Sequence, residues 1–194
     1  MKVVGITGGI GSGKSTVCKI FELLGVPIFY SDDEAKKLYD DKKVVAKVCE
    51  LFGKKVLDKN GKVDKKKLAE IVFSNNESLG KINALIHPLV RKKFEAWKKQ
   101  NSSSKYVIKE AAILIESGIY KELDFLISVR APKSLVVNRI SKYKKINKID
   151  LKNRISSQIS DKEREKYSDA IIVNDGSHSL IEQVLQIDHR LRKK

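Results

Sequence analysis

A glycine-rich loop near the N-terminus constrains this chain more than any other feature of its sequence. The loop reads "GGIGSGKS" from Gly8 to Ser15 and matches the pattern G-x-x-x-x-G-K-[ST]. It follows a short β-branched run, Val3–Thr7, and precedes a helical pattern that begins at Lys14. Glycines there let main-chain N–H groups turn toward an anion, and the next helix adds the positive end of its dipole. The sequence therefore predicts a nucleoside-triphosphate site between the first strand and the first helix.

The residue types in the loop suit the phosphates of ATP. Lys14 has the length to reach the β- and γ-phosphates, and the Ser15 hydroxyl is the type of group that ligates Mg²⁺ in such loops. A nucleoside triphosphate with Mg²⁺ is therefore predicted here, and the family resemblance given below implies that the nucleotide is ATP. The predicted ATP-binding residues of the loop are Gly9, Ile10, Gly11, Ser12, Gly13, Lys14, Ser15 and Thr16.

The order of apolar patterns predicts an α/β fold with a five-stranded parallel sheet. The loop, the helix Lys14–Leu24 and the strand that starts at Pro27 form a βαβ unit, so its two strands should be parallel. Three later apolar runs predict the other strands, and a closing amphipathic helix follows. These runs begin at Tyr106, Phe125 and Ala170, and the helix spans Ser177–Arg192.

Two helical stretches interrupt the strands and define the predicted domain organisation. Residues 1–194 are expected to form one domain, built around the phosphate loop, with a core of 1–31, 105–131 and 168–194. Residues 32–104 would be a helical insertion that binds substrate, and 132–167 a helical lid. Within the insertion we expect Asn60-Gly61 to supply positive φ in a turn and Pro88 to begin a new helix.

The charge and the composition limit the class of partner. The formal charge is +16, and Lys outnumbers Arg by 33 to 7 along the whole chain. Arg clusters and aromatic stacking platforms, which nucleic-acid-binding proteins usually add, are not evident. No apolar run approaches the roughly 18 residues of a membrane span. We expect small-molecule substrates, no nucleic acid and no membrane, a cytoplasmic location, and a monomer or weak homo-oligomer.

The phosphate loop alone does not fix the reaction, because switch GTPases, helicases, transporters and small kinases all use it. The letters "NKID", Asn147–Asp150, resemble the guanine-reading string, yet they lie in a charged helical stretch rather than after a strand. A short chain with a basic helical hairpin before its last strand favours a small kinase whose lid closes over ATP.

Seven motifs in order give the chain a resemblance to the dephospho-coenzyme A kinase family over nearly its whole length. They are "GITGGIGSGKSTV", Asp32 with Ala35 in place of a D-x-D-x-x-A element, "DKNGKVDKKKLAEIVFSN", "INALIHPLVRKKF", "EAAILIESGIY", "SVRAPKSLVVNRI" with "NRISSQ", and "SDAIIVNDG". The resemblance implies transfer of the ATP γ-phosphoryl group to the ribose 3′-hydroxyl of dephospho-CoA, which is the last step of coenzyme A biosynthesis.

The resemblance also implies roles for residues outside the loop. Asp32 would accept or orient the hydroxyl proton, and Arg139 of the lid would stabilise charge on the transferred group beside the catalytic Lys14. Arg154 and Gln158 match a second lid position that touches phosphate or adenine, and Asn174 matches an adenine contact. The predicted substrate-binding residues are Asp32, His87, Glu110 and Glu116, with Glu116 otherwise a plain helix cap.

Several alternatives stay open at this point. The first acid of the family's D-x-D is Tyr30 here, so Asp33 is the other candidate for the base. The second lid arginine of the family is Tyr143. Another small-molecule or nucleoside monophosphate kinase is the nearest rival function, and a nucleic-acid-binding ATPase is the rival from a different class.

Overall fold

The computed structural model describes residues 1–143 and 158–193, which divide into two units. The first, here the sheet unit, contains Met1–Tyr30 and the described residues from Lys98 onward. The second, the helical unit, is Ser31–Trp97. The division of the chain into a core, a substrate-binding insertion and a lid stays a prediction.

The sheet unit contains a five-stranded, wholly parallel sheet, as the sequence predicts. Its strand order is β2-β3-β1-β4-β5, so β1 is central. In register, Val4 of β1 lies beside Ile108 of β3 and Phe125 of β4. The strands are β1 Lys2–Gly8, β2 Ile28–Tyr30, β3 Tyr106–Glu110, β4 Phe125–Arg130 and β5 Ala170–Val173.

Helices of the sheet unit cover the strands and build the main core. The α-helices are α1 Lys14–Leu23, α6 Lys133–Tyr143, α7 Asp161–Glu165 and α8 Leu180–Lys193, with a 3₁₀ turn at Ile119–Glu122. Apolar side chains of α1 and α8 pack on the sheet, as the spacing of apolar residues in both helices predicts. The buried members of this cluster from the two helices are Val17, Cys18, Phe21, Val184, Ile187 and Leu191.

A second apolar cluster packs on the opposite face of β1. Side chains alternate along a strand, so Gly5 faces away from the side on which Val4 and Ile6 join the main core. A Cβ at Gly5 would meet Leu126 and Leu114 of the second cluster, so this face has room only for hydrogen. The cluster contains Ala111, Leu114, Ile115 and Leu126, with Ile119, Tyr120, Leu123 and Ile159 packed against it.

The helical unit contains α2, α3, α4 and α5 up to Trp97, and it corrects one prediction. Pro88 does not begin a new helix but lies inside α5, which runs unbroken from Asn76 to Gln100. Proline removes one main-chain hydrogen bond from such a helix. The buried face of α5 continues on both sides of it, from Ile82 and Ile86 to Val90 and Phe94, and this burial offsets the loss. The helices are α2 Ser31–Leu38, α3 Lys42–Phe52, α4 Lys65–Ser74 and α5 Asn76–Gln100, with a 3₁₀ turn at Lys54–Val56.

The predicted turn between α3 and α4 is present, but one of its residues has a different backbone conformation from the one expected. Leu57 and Val63 form an antiparallel bridge, and the Asp58 carboxylate accepts hydrogen bonds from the N–H groups of Asn60 and Lys62, both at 2.9 Å. Only Gly61 has positive φ, at 74°, so the expectation that Asn60 shares this conformation was wrong. The side-chain bonds of Asp58 shape the rest of the turn.

Across the described ranges 1–143 and 158–193, no helix combines the length and the apolar character needed to cross a lipid bilayer.

Candidate active site

The phosphate loop leaves the sheet at the carboxyl end of its central strand. Gly8 is the last residue of β1, and a Cβ there would collide with the carbonyl oxygen of Val129 on β4. The loop then turns back on itself, and Ser12 N–H donates to the Gly9 carbonyl at 3.1 Å. Ligands of open parallel sheets bind at this edge. The loop therefore lies where the strand order predicts a nucleotide.

The helix that follows the loop begins without a side-chain cap. Gly13 is the N-cap of α1 and has φ 98°, a left-handed conformation that favours glycine. No side chain of the described residues accepts a hydrogen bond at this cap, and the first turn of α1 contains no acid. The first N–H groups of a helix have no partner within the helix. This end of α1 is consequently a positive, uncapped terminus suited to a phosphate.

Lys14 folds back across the loop. Its Nζ donates to the carbonyl of Gly8 at 2.9 Å and to that of Gly9 at 3.3 Å. The ammonium group thus lies against the loop, where these two carbonyls are weak, neutral acceptors. A phosphate oxygen is a stronger acceptor for this cation than a peptide carbonyl, so the same position suits contact with a bound polyphosphate.

Arg139 and Asn174 meet beside the loop, although the two residues are distant in the sequence. Arg139 Nη2 of α6 donates to Asn174 Oδ1 at 3.0 Å and to the Asn174 carbonyl at 3.3 Å. The Asn174 amide in turn donates from Nδ2 to the Ser12 carbonyl at 2.8 Å, and Asn174 is buried. Arg139 Nη1 is buried and has no hydrogen-bond partner among the described residues. Asn174 therefore connects the phosphate loop to the arginine, a link that the adenine-contact prediction did not include.

Two other segments of the sheet unit reach the loop. Val136 and Ile140 of α6 lie against Gly11, close enough that a Cβ there would be within 3.2 Å of both. Gln158 Oε1 accepts a hydrogen bond from Ile10 N–H at 3.0 Å. Arg139, Val136, Ile140 and Gln158 all come from the stretch predicted to be a lid. Arg154, the other predicted lid residue, and the NKID string lie outside the described residues.

The two predicted acids of the sheet unit occupy different places. Glu110 is the last residue of β3 and is buried, in register with Ile6 of β1 and Tyr30 of β2. Glu116 Oε1 accepts a hydrogen bond from Ile159 N–H at 3.1 Å, while Oε2 is buried without a partner in the described part of the chain. Glu110 therefore lies at the same sheet edge as the loop. Glu116 holds the backbone next to Gln158.

The remaining predicted residues belong to the helical unit. Asp32 and Asp33 are exposed in the first turn of α2, directly after β2 in the chain. Asp33 Oδ1 forms an ion pair with Lys36 Nζ at 2.7 Å, whereas Asp32 has no ion pair with any described residue. His87 is half-buried on α5. Whether these three contact substrate stays a prediction.

Cys18 and Asp175 are two of the ionisable groups of the sheet unit whose pKa values are shifted with clear causes. Burial among apolar side chains raises the pKa of the Cys18 thiol far above its usual range, so it is not a nucleophile at neutral pH. The Asp175 carboxylate, next to Asn174, accepts hydrogen bonds from the N–H groups of His178 at 3.0 Å and Ser177 at 2.9 Å. These bonds lower the pKa of Asp175, so the turn after β5 holds a negative charge at neutral pH.

The sequence alone gives no indication that Arg164 and Asp161 of α7 are site residues. Arg164 is only 1% exposed, which is exceptional for an arginine, and it pairs with Asp161. The Asp161 carboxylate lies near Gly9, since a Cβ at Gly9 would be 3.8 Å from Asp161 Oδ1. In the sequence both residues stand in a charged run that looks like a solvated helix face. Nothing in that run distinguishes a buried arginine from an exposed one.

Comparison with known proteins gives one consistent family. A family model described as dephospho-CoA kinase matches residues 2–179. A dephospho-CoA kinase of Bacteroides fragilis is 38% identical over 185 residues, which cover 95% of this chain and 90% of that protein. A dephospho-CoA kinase of Fusobacterium nucleatum is 40% identical over 175 residues, which cover 90% of each chain.

Solved structures support the same fold. A dephospho-CoA kinase from Campylobacter jejuni has a TM-score of 0.70 and 30% identity, with 98% of this chain and 97% of that chain covered. The protein TT1252 from Thermus thermophilus has a TM-score of 0.87 and 28% identity, with 97% and 96% covered. A shikimate kinase from Acinetobacter baumannii, at 14% identity and a TM-score of 0.52 over 100% of this chain and 94% of that chain, shares the fold alone.

Proposed function

The chain belongs to the dephospho-CoA kinase family, and we propose that it transfers the γ-phosphoryl group of ATP to the ribose 3′-hydroxyl of dephospho-CoA. The products are coenzyme A and ADP. The observation that supports this proposal best is the cluster at the end of β1. There an uncapped helix terminus, Lys14 and the Arg139–Asn174 pair surround one phosphate loop.

Each part of this cluster has a role on the ATP side of the reaction. The loop amides and the start of α1 bind the β- and γ-phosphates, and Lys14 exchanges its carbonyl acceptors for phosphate oxygens. Arg139 offers Nη1, which is buried beside the loop, to the charge that develops during transfer. A planar guanidinium is well matched to phosphoryl oxygens.

Asp32 acts as the base in the proposed reaction. The substrate's 3′-hydroxyl oxygen bonds to the γ-phosphorus, the bond from that phosphorus to the β,γ-bridging oxygen breaks, and ADP leaves with the bond's electron pair. The hydroxyl proton passes to the Asp32 carboxylate. The ion pair between Asp33 and Lys36 favours Asp32 for this role, because the Asp33 carboxylate already has a partner on its own helix. Asp32 also follows the end of β2, the edge at which parallel sheets bind ligands.

Mg²⁺ fits the donor groups present. Ser15 is exposed in the first turn of α1, where its hydroxyl is one oxygen ligand of the kind that Mg²⁺ takes together with substrate phosphates and water. Glu110 at the same sheet edge would reach such an ion through a bound water. When bound, the ion neutralises phosphate charge during transfer. Among the described residues there is no cluster of three His, Cys, Asp or Glu side chains that would form a site made by the protein alone.

Four residues are proposed to bind dephospho-CoA. His87 and Glu116 are assigned to it by the family motifs, together with Asp32 and Glu110. The hydrogen bond from Ile159 N–H to Glu116 supports a positioning role for that residue. We also propose a cytoplasmic enzyme that acts as a monomer or weak homo-oligomer on small molecules, without nucleic acid or membrane.

A coupled assay of ADP release with dephospho-CoA as acceptor tests the reaction. The expected result is acceptor-dependent turnover with mass-spectrometric detection of coenzyme A. Asp32→Asn should reduce kcat by about 100-fold or more, whereas the matched variant Asp33→Asn should keep most activity. Turnover with a nucleoside monophosphate, or stimulation by RNA but not by dephospho-CoA, would contradict the proposal. Equal loss in both variants would reject Asp32 as the single base.

A further inference from the structure

Arg164 is buried at the base of the segment that touches the phosphate loop. Its side chain is 1% exposed, and it spans two groups of the preceding turn. Nη2 donates to the Ile159 carbonyl at 2.9 Å, and Nη1 donates to Asp161 Oδ1 at 2.5 Å. Burying an arginine is unfavourable, and the cost is only partly offset here, because Nε is buried without a partner among the described residues. The two terminal nitrogens of the buried guanidinium thus form a fork that holds residues 159 and 161 in place.

Ile159 is held on both sides of its backbone. Its N–H donates to Glu116 Oε1 at 3.1 Å, and its carbonyl accepts from Arg164. Its side chain packs against the apolar cluster that contains Leu114 and Leu126. The position of the neighbouring residue, Gln158, follows directly from this fixation.

Gln158 connects this fixed segment to the phosphate loop through a hydrogen bond. Its Oε1 accepts the N–H of Ile10, which lies between two glycines at the tip of the loop. Because the partner is a donor, the carboxamide oxygen must face the loop, and its NH₂ group is then directed elsewhere. A side-chain acceptor at Ile10 holds the loop in one conformation before nucleotide binds, which lowers the ordering cost of binding.

Arg164 has a second effect through charge. The Asp161 carboxylate lies beside Gly9, where it would repel a bound triphosphate. The ion pair with Arg164 neutralises this carboxylate. The same arginine therefore removes an unfavourable charge from the loop and supports a favourable contact with it.

We propose that Arg164 is a positioning residue for nucleotide binding, which acts through Ile159 to keep Gln158 on the Ile10 amide. This inference rests on the proposed function, since it concerns the ATP half of the same site. The buried arginine would then contribute to nucleotide affinity as well as to the free energy of folding. Glu116 is the second support of the same turn.

A double-mutant cycle between Arg164→Lys and Gln158→Ala tests the inference. A lysine keeps the charge but cannot bond both Ile159 and Asp161 as a fork. The readout is the affinity for a non-hydrolysable ATP analogue by titration calorimetry, with the melting temperature recorded alongside. Each single variant should weaken binding about tenfold, and the double variant should be no weaker than either.

Arg130→Gln is the matched control. Arg130 Nη1 forms an exposed ion pair with Oε1 of Glu165 at 2.8 Å, and Glu165 belongs to α7, the helix that also contains Arg164. This ion pair does not involve Ile159. Arg130→Gln should therefore leave the affinity for the ATP analogue unchanged. A hundredfold loss in the Arg164/Gln158 double variant, or a lower melting temperature with unchanged affinity in Arg164→Lys, would overturn the inference. Should Arg164→Lys fail to fold, Glu116→Ala in a cycle with Gln158→Ala tests the same turn from its other support.

This cycle is independent of the phosphoryl acceptor. Analogue binding is measured without dephospho-CoA, so an inactive wild-type protein would refute the proposed function and still leave the cycle interpretable. An active wild type with additive effects would refute only the role of Arg164.

Discussion

Gly13→Ala is the substitution whose effect the structure defines most closely. Gly13 is the N-cap of α1 with φ 98°, and a Cβ there would fall well inside the contact distance of Asn174 Nδ2. Asn174 cannot move aside freely, because it is buried between Ser12 and Arg139. The substitution should therefore both strain the backbone and disrupt the link between the loop and the arginine.

The two effects have separate magnitudes. An alanine in a left-handed conformation costs about 1–2 kcal/mol relative to glycine. Displacing Asn174 breaks its bonds to the Ser12 carbonyl at 2.8 Å and to Arg139 at 3.0 Å, and leaving buried partners unsatisfied costs about 1–3 kcal/mol. The sum is about 2–5 kcal/mol in the free energy of unfolding, and ATP affinity should fall with it.

Urea denaturation of four variants separates these contributions. Gly25→Ala is the matched control, because Gly25 also has positive φ, at 77°, but a Cβ there would meet nothing within 4 Å. It should lose only about 1–2 kcal/mol. In an Asn174→Ala background the collision is absent, so adding Gly13→Ala should cost no more than Gly25→Ala does. The reasoning is refuted if Gly13→Ala costs the same with and without Asn174, or no more than Gly25→Ala in the wild type.

The other predictions concern single groups. Lys14→Met should weaken ATP binding at least about tenfold by calorimetry, since Nζ would exchange the neutral Gly8 and Gly9 carbonyls for charged phosphate oxygens; binding at the wild-type affinity would contradict this. Cys18 should react with a thiol reagent only after unfolding, because burial raises its pKa, and rapid labelling of Cys18 in the native protein, located by peptide mapping, would disprove the packing described. Asp175→Asn should destabilise the protein at neutral pH. The pKa of Asp175 is lower in the folded than in the unfolded protein. The ionised carboxylate therefore stabilises the folded state above its unfolded-state pKa of about 3.9, and this contribution is lost as the pH falls through its folded-state pKa. The two unfolding curves should therefore converge in acid, and a constant difference at all pH values would reject this origin.

The sequence predicts the phosphate loop and the sheet well because their signals are local. A β-branched run, a glycine loop and an amphipathic helix identify β1, the loop and α1 within about 25 residues, and the strand pattern repeats. Pro88 shows the limit of this reasoning. Proline is a strong local signal for a helix start, but the buried face that continues from Ile86 to Val90 kept the helix intact.

Contacts between distant residues were the part that sequence reasoning did not supply. Arg139 and Asn174 were each predicted as site residues, yet their mutual hydrogen bond joins positions 35 apart. Arg164 gave no signal, because burial depends on the whole fold and not on its charged neighbours. Glu116 was placed by motif on the substrate side, and its bond to Ile159 N–H became evident only from the tertiary structure.

The central position of β1 has a consequence for how the protein is made. Val4 pairs with Ile108 and Phe125, so the strand that leaves the ribosome early waits for more than 100 further residues before either neighbour exists. Such long-range parallel pairing is slow to form and exposes apolar edges meanwhile. A nascent chain stalled before β3 would present Val3 to Ile6 without a neighbouring strand, and these residues would then be open to pairing with another chain.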